Sequence, residues 1–554
     1  MLNKMGASIA KFFGDEHADQ TSDFSKIFTK MCQFDTISDL FPYFAFNSRD
    51  NIFSNIDNKG FVLEVSGLIG ASHEMQKEIS NIFTMLLPEK SSLQVILYAD
   101  SNIEKTLQKY CAKRQGIFAD LAKRRAEHLR NFKGNMAPLR NFRIFVSVIV
   151  PDEFETKRLI NLREQIQRTF EMLNMGAFAW DADDLLQTMD SILHNVKNSD
   201  ITYNPYDPLP QQFMKHDSKL SVTPNTLFSD KKQIRTYTVS KFPTFWSLHS
   251  MLELIGDMER DQAQIPCPFL FSYGVHITRQ HTAPILAKAK YVEKQAYSPI
   301  GTYLPDIQRE AEELDFVRDQ INKGEKVVQA CFNIVLLANK DNLESAEQTL
   351  MNLFISKEWR LNPNQYTQLP MFLTSLPMMW GIQEVKALNY LKKLKTTLSL
   401  ESANLLPLQT EWRGTKTPGM LLFARRGQIM TWSPFDNNEG NYNVSVVGKS
   451  GSGKSVFMQE LMVSTLGLGG RVFVIDVGRS FEHTAKLLYG EYLEFQYASN
   501  ISLNPFSRLE SDDMLAMLRS VLGSMAAPTA GVTDKQAALL EEAMLKTWIA
   551  HIGR

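Results

Sequence analysis

No run of 18 or more apolar residues occurs in this 554-residue chain, so no stretch of it reads as a membrane-spanning helix. Cysteine is scarce: Cys32, Cys111, Cys267 and Cys331 are scattered, with no C-x-x-C pair. That spacing argues against zinc ligation or disulfides, and the expectation is buried thiols in a reducing compartment. The ten histidines contain no H-E-x-x-H, and His276 and His281 stand five apart in an unsuitable context, so no metal site is assigned to them. Neither sign of charge dominates. With 60 Lys+Arg against 61 Asp+Glu, the formal net charge of −1 gives no general pull toward nucleic acid or an anionic membrane. Residues 1–13 lack a sustained apolar core and a small-residue cleavage site, so they are not a signal peptide. A helix packed on its own domain is expected there in preference to one touching a membrane.

Hydrophobic residues at 44% and charged residues at 22% describe a globular protein, and the length calls for about three domains. Residues 61–68, 93–98 and 142–150 read as strands, and 74–87, 103–131, 154–173 and 183–194 as helices. In the third of these helices Leu159, Leu162, Ile166, Phe170 and Leu173 recur at the 3.6-residue period. The alternation predicts an α+β domain over residues 1–203, a small sandwich with helices on one face of a sheet. Four prolines between 204 and 224 mark a linker or extended strap, bounded at 204–230. A second α+β domain is expected over 231–385. Its strands would be 233–240, 268–277 and 327–337, and its helices 244–258, 283–296, 306–322 and 343–355. Ile307, Ala311, Leu314, Val317 and Ile321 form an apolar stripe that reads as core packing. Short strands and turns over 405–433 lead into the last region, 386–554.

That region holds the sharpest signal. The octet Gly448-Lys449-Ser450-Gly451-Ser452-Gly453-Lys454-Ser455 fits G-x-x-x-x-G-K-[ST] at every fixed position. Before it, residues 443–447 are a short β-branched run that reads as a buried strand; after it, 456–466 read as a helix stopped by Gly467, Gly469 and Gly470. Glycines let such a loop curl so that successive N–H groups cradle phosphate oxygens. Lys454 would reach the β- and γ-phosphates of a nucleoside triphosphate, and Ser455 would place its hydroxyl on Mg²⁺. A second apolar strand is expected over 471–476, closing a βαβ unit and implying a parallel sheet. Asp476 ends it, either as a residue shaping the site or as a direct Mg²⁺ contact. Asn339-Lys340-Asp341-Asn342 fails the guanine-selecting N-K-x-D pattern at its last position, which leaves ATP as the default.

Two weaker constellations have plain readings. Residues 111–143 carry nine Lys/Arg, among them Lys113, Arg114, Lys123, Arg124, Arg125, Arg130, Arg140 and Arg143, against Asp120 and Glu127. No aromatic series interleaves them, so a solvated or protein-docking face is favoured over nucleic acid or lipid headgroups. Trp180-Asp181-Ala-Asp183-Asp184 lacks the glycine and the closing Glu of a calcium loop, and helix capping explains its aspartates.

Taken together, residues 441–455, Val472-Phe-Val-Ile-Asp476-Val-Gly478 and Leu503-Asn504-Pro505-Phe506 resemble the conjugative-transfer ATPases of type IV secretion systems, and within them the F-type TraC family. Weaker echoes are Asp39-Leu-Phe-Pro-Tyr43 and Tyr203-Asn-Pro-Tyr-Asp207. The resemblance implies α+β N-terminal domains followed by a RecA-like P-loop NTPase domain with a parallel sheet, using ATP and Mg²⁺. It also implies homo-oligomers, often hexamers, at the cytoplasmic face of the bacterial inner membrane. There they would be held by inner-membrane secretion-channel and pilus-assembly partners, powering pilus assembly and substrate transfer. Direct sequence-specific nucleic-acid binding is not expected. One departure matters: no apolar strand ending Asp-Glu lies between Ser455 and Arg554, so Walker B and the catalytic Glu are missing. A C-terminally shortened motor is the expectation, with phosphate binding carried by Gly448 to Ser455 and no catalytic residue assigned. The alternatives are a DNA-pumping coupling-protein or FtsK-like ATPase, and a non-hydrolysing assembly scaffold.

Overall fold

Residues 142–150 are apolar but for Arg143 and Ser147 because the strand they form is covered on both faces. The computed structural model describes residues 36–132, 138–194, 201–215, 217–230, 232–260, 263–280, 316–437, 439–495, 506 and 511–552. The readings made on residues 1–13, 283–296, the first part of 306–322 and 503–505 lie outside these. Contacts divide the chain into two units, Met1–Val472 and Phe473–Arg554.

In the first unit the chain lays down β1 (Tyr43–Asn47), β2 (Ile52–Asn55), β3 (Asn58–Val65), α1 (His73–Asn81) and β4 (Ser92–Asp100). A helical pair, α2 (Glu104–Ala112) and α3 (Gly116–Arg130), precedes β5 (Asn141–Pro151), α4 (Thr156–Met172), β6 (Ala177–Ala179) and α5 (Ala182–His194). Then come α6 (Leu209–Phe213), β7 (Leu220–Val222), β8 (Leu227–Ser229), β9 (Lys232–Lys241), β10 (Phe269–Ile277) and β11 (Val327–Ala338). The order continues with α7 (Leu343–Ser356), β12 (Arg360–Pro363), α8 (Gln368–Leu373), α9 (Ile382–Tyr390), β13 (Lys395–Leu398) and α10 (Ser399–Leu405). The hairpin β14 (Met420–Phe423) and β15 (Ile429–Trp432) leads to α11 (Lys454–Gly467).

The first thirteen strands form one sheet in the order β1-β2-β3-β5-β4-β10-β11-β9-β8-β7, with β6 on β3, β12 on β9 and β13 on β11. Every ladder is antiparallel. The two segments read from sequence as separate α+β domains meet at β4 and β10, paired from Ser92↔His276 to Ala99↔Phe269. Gln94 fixes that seam from within, donating to Ser272 Oγ and to the Thr374 carbonyl, both at 2.9 Å. Beside it Trp380 lies against the strand at Gly274, where an added Cβ would come within 1.9 Å of the ring. Only glycine fits that approach.

Period-two alternation sends β5 side chains to two cores. Phe142, Ile144, Val146, Val148 and Val150 pack with Leu159, Leu162, Ile166 and Phe170 of α4. Phe145 and Ile149 pack with Trp180 and with Leu185, Leu186 and Met189 of α5. The expected sandwich with helices on one face is therefore corrected: both faces are covered, which is why the central strands carry apolar residues at odd and even positions alike. Each such side chain contributes about 1.5–3 kcal/mol on burial.

Two further expectations change. The proline-rich stretch is not an open strap: α6, β7 and β8 lie within it, and Leu209, Pro210 and Phe213 are buried. Pro210 lies in the first turn of α6, where its missing N–H costs nothing. Residues 244–258 do not form a helix beyond one 3₁₀ stretch, Leu248–Glu253. There Phe242 and Trp246 gather around Trp359, with centroids 5.2 and 4.7 Å from it, and tertiary packing overrides local propensity.

The second unit contains α12 (Glu482–Leu487), α13 (Asp512–Ala526) and α14 (Asp534–Ile552). Leu515 and Leu518 of α13 pack against Met544 of α14, with Leu522, Leu540 and Trp548 around them.

Candidate functional site: a phosphate loop docked on a basic helical hairpin

Gly453 is the N-cap of α11 and sits at φ +92°, while Gly451 sits at φ +77°. A Cβ at either would meet nothing within 4 Å, so backbone conformation and not crowding selects glycine there. Gly448 is different: a Cβ would stand 2.5 Å from Ser452 Oγ. The loop is closed by its own lysine. Lys454 Nζ donates to the carbonyls of Gly448 and Lys449, both at 2.8 Å, and the Ser452 N–H reaches the Lys449 carbonyl at 3.2 Å. Residues 448–453 are exposed, as is Ser455. An accessible curl of backbone at a helix N-terminus, with one ammonium held by carbonyls alone, is suited to phosphate oxygens.

Beneath the loop, α11 is anchored to residues that the sequence reading had left on a solvated or docking face. Arg125 of α3 reaches Glu460 of α11 at 3.1 Å and also donates to the Leu421 carbonyl of β14 at 2.7 Å. Arg114 is buried. It donates to the carbonyls of Pro418 at 3.0 Å, Gly419 at 2.7 Å and Tyr110, and its guanidinium stacks 3.7 Å from the Tyr110 ring centre. Burial lowers the Arg114 pKa from the ordinary arginine value. Gly467 of α11 lies against Arg114 and Phe118, and Trp432 of β15 packs on Phe457 at 6.0 Å. The arginines of the basic stretch are thus mostly engaged by this chain: Arg130, at the surface, pairs with Glu104 at 2.9 Å, and Arg143 pairs with the buried Glu64 at 2.7 Å. Arg140 is fully buried, donating to the Ile265 and Cys267 carbonyls. Sequence reasoning missed these roles because such partners, 26 residues away for Arg130 and up to 305 for Arg114, leave no local spacing signal. The capping reading of Asp181 and Asp184 holds, since each carboxylate accepts the other's N–H, at 3.2 and 2.9 Å.

The strands expected on either side of the loop are not formed. Residues 443–447 have no ladder partner among the described residues, and Val447 is 91% exposed. Residues 471–476 likewise have none, with Ile475 fully exposed. A β-branched run becomes a buried strand only when neighbours supply both hydrogen bonds and a covering layer. Asp476 belongs to the second unit, where its carboxylate accepts the Ser480 N–H at 3.0 Å. Among the described residues no group of three or more His, Cys, Asp or Glu is placed to hold a metal ion, and no helix is long and apolar enough to cross a membrane.

A glycine-built loop capping a helix with Lys-Ser at its start defines a P-loop protein, and the sequence profile of the TraG P-loop domain matches residues 431–520. The profile of the TraC protein family matches residues 37–380, and the chain belongs to that family. It is similar to Protein TraC of Escherichia coli (strain K12), with 25% identity over 576 aligned residues. That alignment takes in 97% of this chain, which spans 65% of the length of the relative.

Proposed function

We propose that this chain is the ATP-binding subunit of a type IV conjugation system, a motor that powers pilus assembly and substrate transfer. The phosphate loop carries this reading: left-handed Gly451 and Gly453 and the inward ammonium of Lys454 make a cradle for a triphosphate tail. Gly448, Lys449, Ser450, Gly451, Ser452 and Gly453 would wrap the phosphates with main-chain N–H groups, and Lys454 would contact the β- and γ-oxygens. Ser455, exposed at the first turn of α11, would give its hydroxyl to Mg²⁺. The metal, when bound, offsets charge on the phosphates. The exposed apolar runs at 443–447 and 471–476 support a RecA-like parallel sheet in which both would become strands once paired and covered. Homo-oligomers, hexamers among them, and peripheral attachment at the cytoplasmic face of the inner membrane through secretion-channel partners belong to the same reading.

Calorimetry with Mg·ATP tests it. The full chain should release heat that Lys454→Ala abolishes, and cells carrying that variant should fail to assemble pili. Binding that survives Lys454→Ala would overturn the nucleotide reading; pilus assembly that survives it would turn the motor into a scaffold.

A further inference from the structure

The α2–α3 hairpin divides its cations into two sets. Arg114, Arg125 and Arg130 are consumed by carbonyls and carboxylates of this chain. Lys113, Lys123 and Arg124 remain exposed, and no ion pair engages them among the described residues; Lys109, also exposed, lies close enough to Asp436 to help lower that carboxyl's pKa. Lys105, also exposed, meets only the amide oxygen of Gln187, at 3.3 Å. Lys105 and Lys109 of α2 and Lys113 at its C-cap fall at i, i+4 and i+8, opposite the face that buries Leu107, Tyr110 and Arg114. The turn into α3 is made by Gly116 at φ +56°, with open space where a side chain would be. Just beyond it Ile117 and Leu121 stand one helical turn apart, 38% and 36% exposed. Arg124 and His128 continue their stripe, also exposed. Against these stand the exposed carboxylates Asp120 and Glu127 on the hairpin and Asp436 beside Lys109.

We propose that this hairpin docks directly on an anionic phospholipid surface, its lysines at the headgroup phosphates and Ile117 and Leu121 at the acyl boundary. This goes beyond the reading above, in which attachment runs through partner proteins. Lipid is favoured over nucleic acid by the side chains between the charges. Exposed aliphatics gain from an acyl boundary and nothing from a sugar–phosphate backbone, and Tyr110, the hairpin aromatic nearest the lysines, is buried and cannot stack on bases. Because Arg125 ties α3 to the phosphate-loop helix, the docked hairpin would hold the nucleotide site at the membrane surface.

Co-sedimentation of the full chain with vesicles, without nucleotide, tests this separately from ATP binding. Vesicles of phosphatidylcholine with phosphatidylglycerol should pull the chain down in a salt-sensitive way, and pure phosphatidylcholine should not. Replacing three exposed cations together, Lys113→Gln, Lys123→Gln and Arg124→Gln, should weaken binding roughly 100-fold while circular dichroism and Mg·ATP heats stay unchanged. The pair Ile117→Ser and Leu121→Ser should remove the binding that persists at high salt. Equal binding to both vesicle types, a triple variant that binds as the parent does, or aliphatic replacements without effect would overturn the proposal. So would duplex DNA displacing the chain from vesicles at equal phosphate concentration, in favour of a nucleic-acid face.

Discussion

Arg125 Nη1 and Glu460 Oε2 meet at 3.1 Å, and through them the basic hairpin of the N-terminal unit grips the helix that begins at Lys454. The arginine also satisfies the Leu421 carbonyl, so one guanidinium joins three elements: α3, β14 and α11. The two side chains are 34% and 25% exposed, which leaves the pair partly screened by solvent. Arg125→Ala should therefore destabilise the chain by about 1–2 kcal/mol, more than Glu460→Ala, because it also orphans a carbonyl. A double-mutant cycle in urea should return a coupling of roughly 0.5–1 kcal/mol. Strict additivity would mean that the contact contributes nothing.

Glycine in the phosphate loop is used for its backbone. Gly451→Ala and Gly453→Ala should each force an L-residue into the left-handed region at about 1–2 kcal/mol. Global melting should change little, since the loop is exposed, whereas Mg·ATP affinity should fall by roughly tenfold or more if the strain is relieved by flattening the curl. Unchanged affinity in both variants would show that the curl is not the ligand-binding conformation.

Glu64 is the buried hub of a charge cluster. It takes two bonds from Arg143, at 3.1 and 2.7 Å, one from Trp180 at 3.2 Å, and lies 3.5 Å from Arg413. Burial pushes its carboxyl up, but the charge and hydrogen bonds of Arg143, with Arg413 behind them, outweigh that and hold it below the ordinary 4.5. A carboxyl lowered in the folded state adds stability above its unfolded pKa and loses it as pH falls through the folded value. Glu64→Gln takes the nearest carboxylate from two half-buried guanidinium groups, leaving Asp100 near Arg143, and should cost about 2–3 kcal/mol at pH 7. The variant and the parent should converge only once the pH has fallen below the lowered Glu64 pKa, which melting curves followed from pH 7 into acid would reveal.

The central strands were legible because their residues commit them alone: a β-branched run covered on both faces cannot avoid being a strand. The same holds for α4, whose stripe from Leu159 to Phe170 is the face that packs. What stayed hidden depended on distant partners. Nothing within residues 92–99 says that they pair with 269–276 and merge two expected domains into one sheet. Likewise the basic stretch shows its charge but not that Arg114 reaches Pro418 and Gly419. The curl of the phosphate loop and the helix start after it were legible because both are local, set by Gly451, Gly453 and the residues that follow. The flanking strands were not, because Val447 and Ile475 state a need for burial that other segments must meet.

The seam between β4 and β10 carries its own acid sensitivity. His276 faces Ser92 across it, with Nδ1 and Oγ 3.0 Å apart, and burial lowers its pKa from the ordinary 6.5 to about 4. A histidine depressed in the folded state is neutral there while the unfolded chain takes a proton, so stability is full above pH 6.5 and drains away as pH falls toward 4. At pH 5 the loss from this one group should be about 2 kcal/mol, rising to about 3 kcal/mol below pH 4. His276→Gln keeps a polar group opposite Ser92 but cannot charge. Urea unfolding at pH 7 and pH 5 should show a smaller drop for the variant by about that 2 kcal/mol. Identical drops would place the acid sensitivity elsewhere, with Glu64 the next group to examine at lower pH.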